Sequence, residues 1–175
     1  LGGRFGLRLS DAHTLGFSAT RNLARDADFP SLQMDLRKDD TWMFDVRHDA
    51  VFGPASSNAW STAIFGTFVN HLMDNGLKQL TPRTADVGTE AKTRTYGGRT
   101  EGTWRWDRSE LITGADLRRE EAEGTRAREF LMGPNAGRVF YDNVWQGGRI
   151  SKAALFGEYR TPVDPVTLVI SGRVE

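Results

Sequence analysis

The sequence predicts an all-β, antiparallel up-and-down transmembrane β-barrel segment of about eight strands in four hairpins. Three observations predict it. Residues 92–121 hold two runs of strict alternation. In the first, Tyr96, Gly98, Thr100, Gly102, Trp104 and Trp106 take one parity and Thr95, Arg99, Glu101, Thr103 and Arg105 the other. Beyond Asp107-Arg108-Ser109, Leu111, Thr113, Ala115 and Leu117 alternate with Glu110, Gly114, Asp116, Arg118 and Glu120. A period of two across a tight polar turn is a β-hairpin. The second observation is the character of the two faces: the apolar one is thinned by Gly and Thr, and the other carries full charges. A sandwich core needs more bulk, whereas lipid on one side and a water-filled lumen on the other account for both. The third is the rhythm of the connections, which run short, long, short, long, short, long, short. All short turns then fall at one end of the sheet and all long loops at the other, as in membrane barrels. Soluble barrels can also have unequal ends, so the rhythm gains its force from the charged faces.

Taken in order, residues 4–10 alternate Phe5, Leu7 and Leu9 with Arg4, Gly6, Arg8 and Ser10, and Asp11-Ala12 turn the chain. Residues 13–21 return with Leu15, Phe17 and Ala19 on one face. The pattern fails over 22–40, which contain Pro30 and mixed charges and read as a long loop. A third strand over 41–52 places Trp42, Phe44, Val46, His48, Ala50 and Phe52 on one parity, and 53–58 form a turn. In the fourth, over 59–71, Trp60, Ile64 and Phe68 share a parity while Phe65 and Val69 blur it. Long loops are expected over 72–91 and 123–148. Residues 150–161 and 166–174 flank the turn 162–165 and complete the last hairpin, with Val166, Leu168, Ile170, Gly172 and Val174 on one face. Trp104 and Trp106 are expected near the short-turn interface, with Arg99, Glu101 and Arg105 toward the lumen.

Lysine plus arginine, at 23, equals aspartate plus glutamate, at 23, so net charge directs the chain toward neither nucleic acid nor acidic lipid. Cysteine is absent, which excludes disulfides and thiolate metal sites within the chain. No run approaches the ~20 apolar residues of a spanning helix, while a spanning strand needs only about ten residues with alternate ones apolar. The opening Leu1-Gly2-Gly3-Arg4 lacks a charged region followed by an apolar stretch. Both ends read as mid-strand, so residues 1–175 are expected to be a partial barrel domain cut from a longer protein.

The runs YGGRTEGTWRW, ELITGADLRREEAEG, WQGGRISKAALFGEYRTPV and VTLVISGRVE resemble the barrel half of TonB-dependent outer-membrane receptors. The resemblance is one of pattern and covers essentially the whole chain. It implies a 22-stranded barrel in the bacterial outer membrane, occluded by an N-terminal plug domain that is missing here, and uptake of a scarce nutrient with energy supplied by the TonB system. The implied partners are outer-membrane lipid, the protein's own plug and a small nutrient or metal ligand, with no nucleic acid. Asn70-His71-Leu72-Met73-Asp74-Asn75 is similar to the segment of the copper receptors in which a His-x-Met pair supplies ligands. In that subfamily Cys and Met from the plug complete the site.

On chemistry alone, His71 and Met73 lie two residues apart in a strand and project from one face, and an imidazole with a thioether suits Cu(I) better than Mg²⁺ or Ca²⁺. The plain alternative is a strand ending in polar residues. His13 and His48 lack partners at ligand spacing and read as wall positions. Met34, Met73 and Met132 fall in or beside long loops, where they could line a funnel or simply fill gaps. Arg37-Lys38-Asp39-Asp40 and Arg118-Arg119-Glu120-Glu121 read as solvated strand-to-loop transitions or as mouth residues paired with neighbours. No nucleophile elbow, metal triad or phosphate-binding glycine loop is present, so no enzyme activity is expected. Copper enters as a transported substrate, with no cofactor. Gly97-Gly98 sits within a strand and more plausibly relieves crowding than binds phosphate. The competing readings are a soluble eight-stranded barrel enclosing a small hydrophobic ligand, and an outer-membrane enzyme or adhesin.

Overall fold

In the computed structural model, which describes residues 1–175 apart from the Ser56 side chain, the alternating runs form one antiparallel sheet in the order β1 to β8. The strands are β1 (Gly2–Arg8), β2 (His13–Ala27), β3 (Asp35–Phe52), β4 (Asn58–Asp74), β5 (Ala85–Trp106), β6 (Ser109–Phe130), β7 (Val139–Val163) and β8 (Val166–Val174). Each pairs with its sequence neighbour, giving the four expected hairpins. The short turns are tight. Trp106 pairs with Ser109 across Asp107-Arg108, and Val163 with Val166 across Asp164-Pro165. The turn after β3 depends on Gly53, whose φ of +82° is a left-handed conformation that a side chain would strain.

The register joins the two parities into continuous faces. Phe17, Val46, Ile64, Gly98, Leu117 and Ala153 form one row across six strands. One residue away, Arg47, Ala63, Arg99, Asp116 and Ala154 form another. The first row belongs to an apolar face and the second to a charged one. Phe65 and Val69, which blur β4 in the sequence, lie on the charged face. Phe65 has room because its strand neighbour is Gly97: a Cβ there would stand 3.0 Å from the ring and 2.2 Å from the Leu117 carbonyl oxygen. The glycine relieves crowding, as its position within a strand suggests.

The sheet is a single layer. Among the described residues the buried apolar ones are only Leu36, Ala50, Ala91 and Ala154, scattered over the sheet without forming a core. On the apolar face Ile64, Leu117 and Leu155 are 56%, 63% and 68% exposed. A soluble barrel would bury that parity by closing, yet among the described residues β1 and β8 each have one neighbour. Apolar surface left open on this scale marks a face built for contact with a membrane or another chain. Aromatic rings bound the face at both levels. Near the short turns, Trp60 and Trp104 meet edge to face at 6.0 Å, and Trp106 stacks on Tyr159 at 6.1 Å. At the far side stand Trp42, Phe68 and Tyr96, with the Arg21 guanidinium 5.0 Å from the Trp42 ring centre. From Tyr96 to Trp106 the strand rises roughly 33 Å, or about 25 Å of height at the usual tilt, the thickness of a barrel's apolar band.

The charged face is neutralised in place. Arg47 pairs with Asp49 at 2.9 Å, Arg99 with Glu101 at 2.6 Å and Arg105 with Glu110 at 2.6 Å. Arg173 of β8 reaches Asp116 of β6 at 2.8 Å, and Arg99 lies 4.4 Å over the Phe156 ring. Arg99, Glu101 and Arg105, expected toward the lumen, share this ion-paired face.

The strands run further than their hydrophobic alternation does. β5 and β6 have 22 residues each and β7 has 25, about twice what a membrane crossing needs. The long loops expected over 22–40, 72–91 and 123–148 shrink to 28–34, 75–84 and 131–138. The physical reason is that above the aromatic ring both faces meet water, so side chains need not alternate, while the backbone ladder continues.

Candidate functional site

The upper part of the charged face gathers residues from three strands and a loop. The β3–β4 register sets Asp39 opposite His71, and a bulge at Arg37 then shifts it so that Leu36 pairs with Met73. His71 lies within β4 and Met73 one residue before its end at Asp74, on one face as expected. His71 Nδ1–H donates to Asp39 Oδ2 at 2.9 Å, and Asp39 Oδ1 accepts from Thr41 Oγ1 at 2.7 Å. The hydrogen bond from His71 holds the Asp39 carboxyl below the usual carboxylate range, with Thr41 adding to the effect. With Nδ1 committed, the Nε2 lone pair of His71 is left as a donor for a metal.

Met73 pairs with Thr89 of β5, and Thr89 Oγ1 lies 3.9 Å from the Met34 sulfur. Two of the methionines that read as loop residues thus converge on one threonine. Met132 stays apart on the β6–β7 loop, half exposed. Among the described residues no three His, Cys, Asp or Glu side chains come together; the soft donors in this region are the His71 imidazole and the Met73 and Met34 thioethers.

The loops above are tied down. Asp35 is the most buried side chain; it accepts from Lys78 Nζ and from the Phe29 backbone N–H at 2.9 Å. Lys78 also donates to the Phe29 carbonyl at 2.8 Å, which fastens 75–84 to 28–34. Those contacts, Lys78 foremost, hold the Asp35 carboxyl below its ordinary range. Asn75 closes its own loop by donating to the Ala85 carbonyl at 2.9 Å and accepting from the Val87 N–H at 2.8 Å.

The charge runs fall into pairs. Arg37 bridges Asp26 and Asp74 at 3.1 Å each, and Asp40 binds Arg21 through both oxygens, at 2.8 and 2.6 Å. Arg118 pairs with Glu120 and Arg119 with Glu121, both at 2.8 Å. His13 and His48 are the exception to the sequence reading. Strand pairing brings Leu15 opposite His48 and so sets His13 Nδ1 3.1 Å from His48 Nε2, on the apolar face near the short turns. Ligand spacing along the chain does not reveal a pair made across strands. Asp39 was equally hidden as the partner of His71, because 32 residues separate them.

A single-layered sheet with one open apolar face, one ion-paired face and aromatic rings at both margins has the make-up of a transmembrane β-barrel segment. No family model and no curated protein matches the sequence. Among solved structures the chain is similar to one titled "Copper transporter OprC", with a TM-score of 0.81 at 19% identity over 98% of this chain. The chain spans 27% of that protein's length, about a quarter. The likeness is one of fold.

Proposed function

We propose that this chain is part of the wall and outer mouth of a TonB-dependent outer-membrane receptor that takes up a scarce nutrient, and that the nutrient is copper. The observation that carries the copper reading is the grouping of His71 and Met73 on one face, with Asp39 orienting the imidazole and the Met34 sulfur 3.9 Å from Thr89, the strand partner of Met73. Thioether and imidazole donors favour Cu(I) over harder cations. The likeness to a copper transporter supports the same reading. Copper is cargo here. The chain acts by binding and passage, with no catalytic step and no resident cofactor. The surrounding lipid, a plug domain and the TonB system complete the assembly, and the plug supplies any further ligands. The larger barrel has 22 strands, of which this sheet supplies eight.

The test is Cu(I) affinity of the full-length protein before and after His71→Ala, Met73→Ala and Asp39→Asn. The alanine variants lose binding, and Asp39→Asn weakens it by about 10- to 100-fold, the usual effect of removing a carboxylate behind a ligating histidine. An unchanged affinity in all three removes copper and leaves the barrel reading standing. Heat-modifiable migration on a gel after reconstitution tests the barrel separately.

A further inference from the structure

The apolar face is not flush. Between β4 and β7 a groove of about 960 Å³ opens on it, floored where Gly98 and Ala153 flank Leu117 in the row that begins at Phe17. Ile64 and Phe68 form one side. The depression is built in at Gly98, where any Cβ would stand 3.2 Å from the Ala63 carbonyl oxygen. Its volume lies at the upper end of ligand pockets, which run ~300–1,000 Å³. The groove sits directly below the far aromatic ring, so it faces the leaflet beside the long loops.

A second, polar cleft of about 180 Å³ adjoins it, and Arg94 and Glu121 line both. The cleft also holds Lys92, Glu123 and Arg149, while Arg119 lines the groove. The carboxylates are already engaged. Glu121 is bound by Arg119 at 2.8 Å and by Arg149 at 3.2 Å, and Glu90 lies 3.3 Å from Lys92. Arg94 has only a 3.8 Å contact with Glu123. Four cations thus face three carboxylates, an excess of one positive charge, and Arg94 keeps hydrogen-bonding capacity at the point where cleft and groove meet. A guanidinium with open donors beside a dry groove matches a phosphate carried on a lipid.

We infer that the outer side of β4–β7 is a binding site for a phosphate-bearing, multiply acylated membrane lipid, with acyl chains in the groove and a phosphate on Arg94 in the cleft above. The occupant must be amphiphilic because the two compartments have opposite character and share a wall. A second copy of the chain fits less well, since its own apolar face ends in the same cations. The site rests on the reading of this chain as barrel wall in the outer membrane.

The experiment titrates the full-length protein in detergent with a bis-phosphorylated, multiply acylated glucosamine disaccharide, with its dephosphorylated form and with inorganic phosphate, followed by native mass spectrometry. The wild type retains the phosphorylated lipid. Arg94→Gln/Arg119→Gln weakens that lipid by about tenfold or more, as loss of charge-assisted hydrogen bonds requires, and leaves the dephosphorylated form unaffected. Ala153→Phe fills the exposed floor and weakens both lipids. Unchanged affinity in both variants overturns the inference. So does inorganic phosphate competing as well as the lipid does while Ala153→Phe is silent, or a protein dimer in place of the lipid adduct. Protein that migrates as a folded, heat-modifiable barrel yet ignores the lipid loses only this site, whereas wild type that fails to fold in bilayers loses the receptor reading with it.

Discussion

The lower and upper halves of the same strands obey different rules. Below Trp42, Phe68 and Tyr96, one parity is apolar and open and the other is ion-paired, and every residue's face matters. Above them both faces are wet, and paired charges and loop clamps replace the alternation. Arg21 with Asp40, Arg126 with Asp142 and His71 with Asp39 all belong to this upper region. The contrast teaches that a barrel strand is specified by the solvent on its two sides. Where the solvents differ the side chains alternate, and where they are the same the backbone ladder alone keeps the strand going.

The largest expected effect comes from placing a charge in the lower half. Ala115→Arg, on the apolar face about midway between the two aromatic levels, costs about 2–4 kcal/mol of bilayer stability, measured by denaturant unfolding in vesicles, while Thr125→Arg on the same strand above the ring stays within about 0.5 kcal/mol. Equal costs for the two would break the division. Next comes the girdle: Trp104→Leu, which keeps the side chain apolar and removes the edge-to-face contact with Trp60, costs about 0.5–1.5 kcal/mol.

The upper half is sharpened by its clamp. Lys78→Met leaves the buried Asp35 without its cation, so amides of 28–34 exchange faster while those of the belt do not. Acid acts in the same direction. Asp35 has a lowered pKa in the folded protein, so its contribution is present above the unfolded carboxylate value and is lost as pH falls through the folded one, below about pH 4. Limited proteolysis at pH steps downward from 7 reads this as cleavage within 28–34 and 75–84 that sets in only below the ordinary carboxylate range, with the belt intact. The smallest effect belongs to Arg8→Gln. It breaks the exposed pair with Asp11 and leaves the unfolding midpoint where it was.

The sequence by itself determined the all-β class, the eight strands, the four tight turns and the faces of the belt, because a strand whose two sides differ in polarity must carry an apolar residue at every second position. It placed His71 and Met73 on one face for the same geometric reason. It could not show how far the strands continue past the belt, since Arg21, Asp40, Arg126 and Asp142 carry no period that marks a strand in water. Nor could it pair residues across strands. The tertiary structure alone brought Asp39 to His71, Met34 to Thr89, His13 to His48 and Arg94 to the edge of the groove. The physical reason is that hydrogen-bonded register, with its bulge at Arg37, decides which distant side chains meet. In the hairpin over 92–121, Trp104 and Trp106 could be read as wall from their parity, but the groove beside Gly98 exists only once β4 and β6 have closed around it.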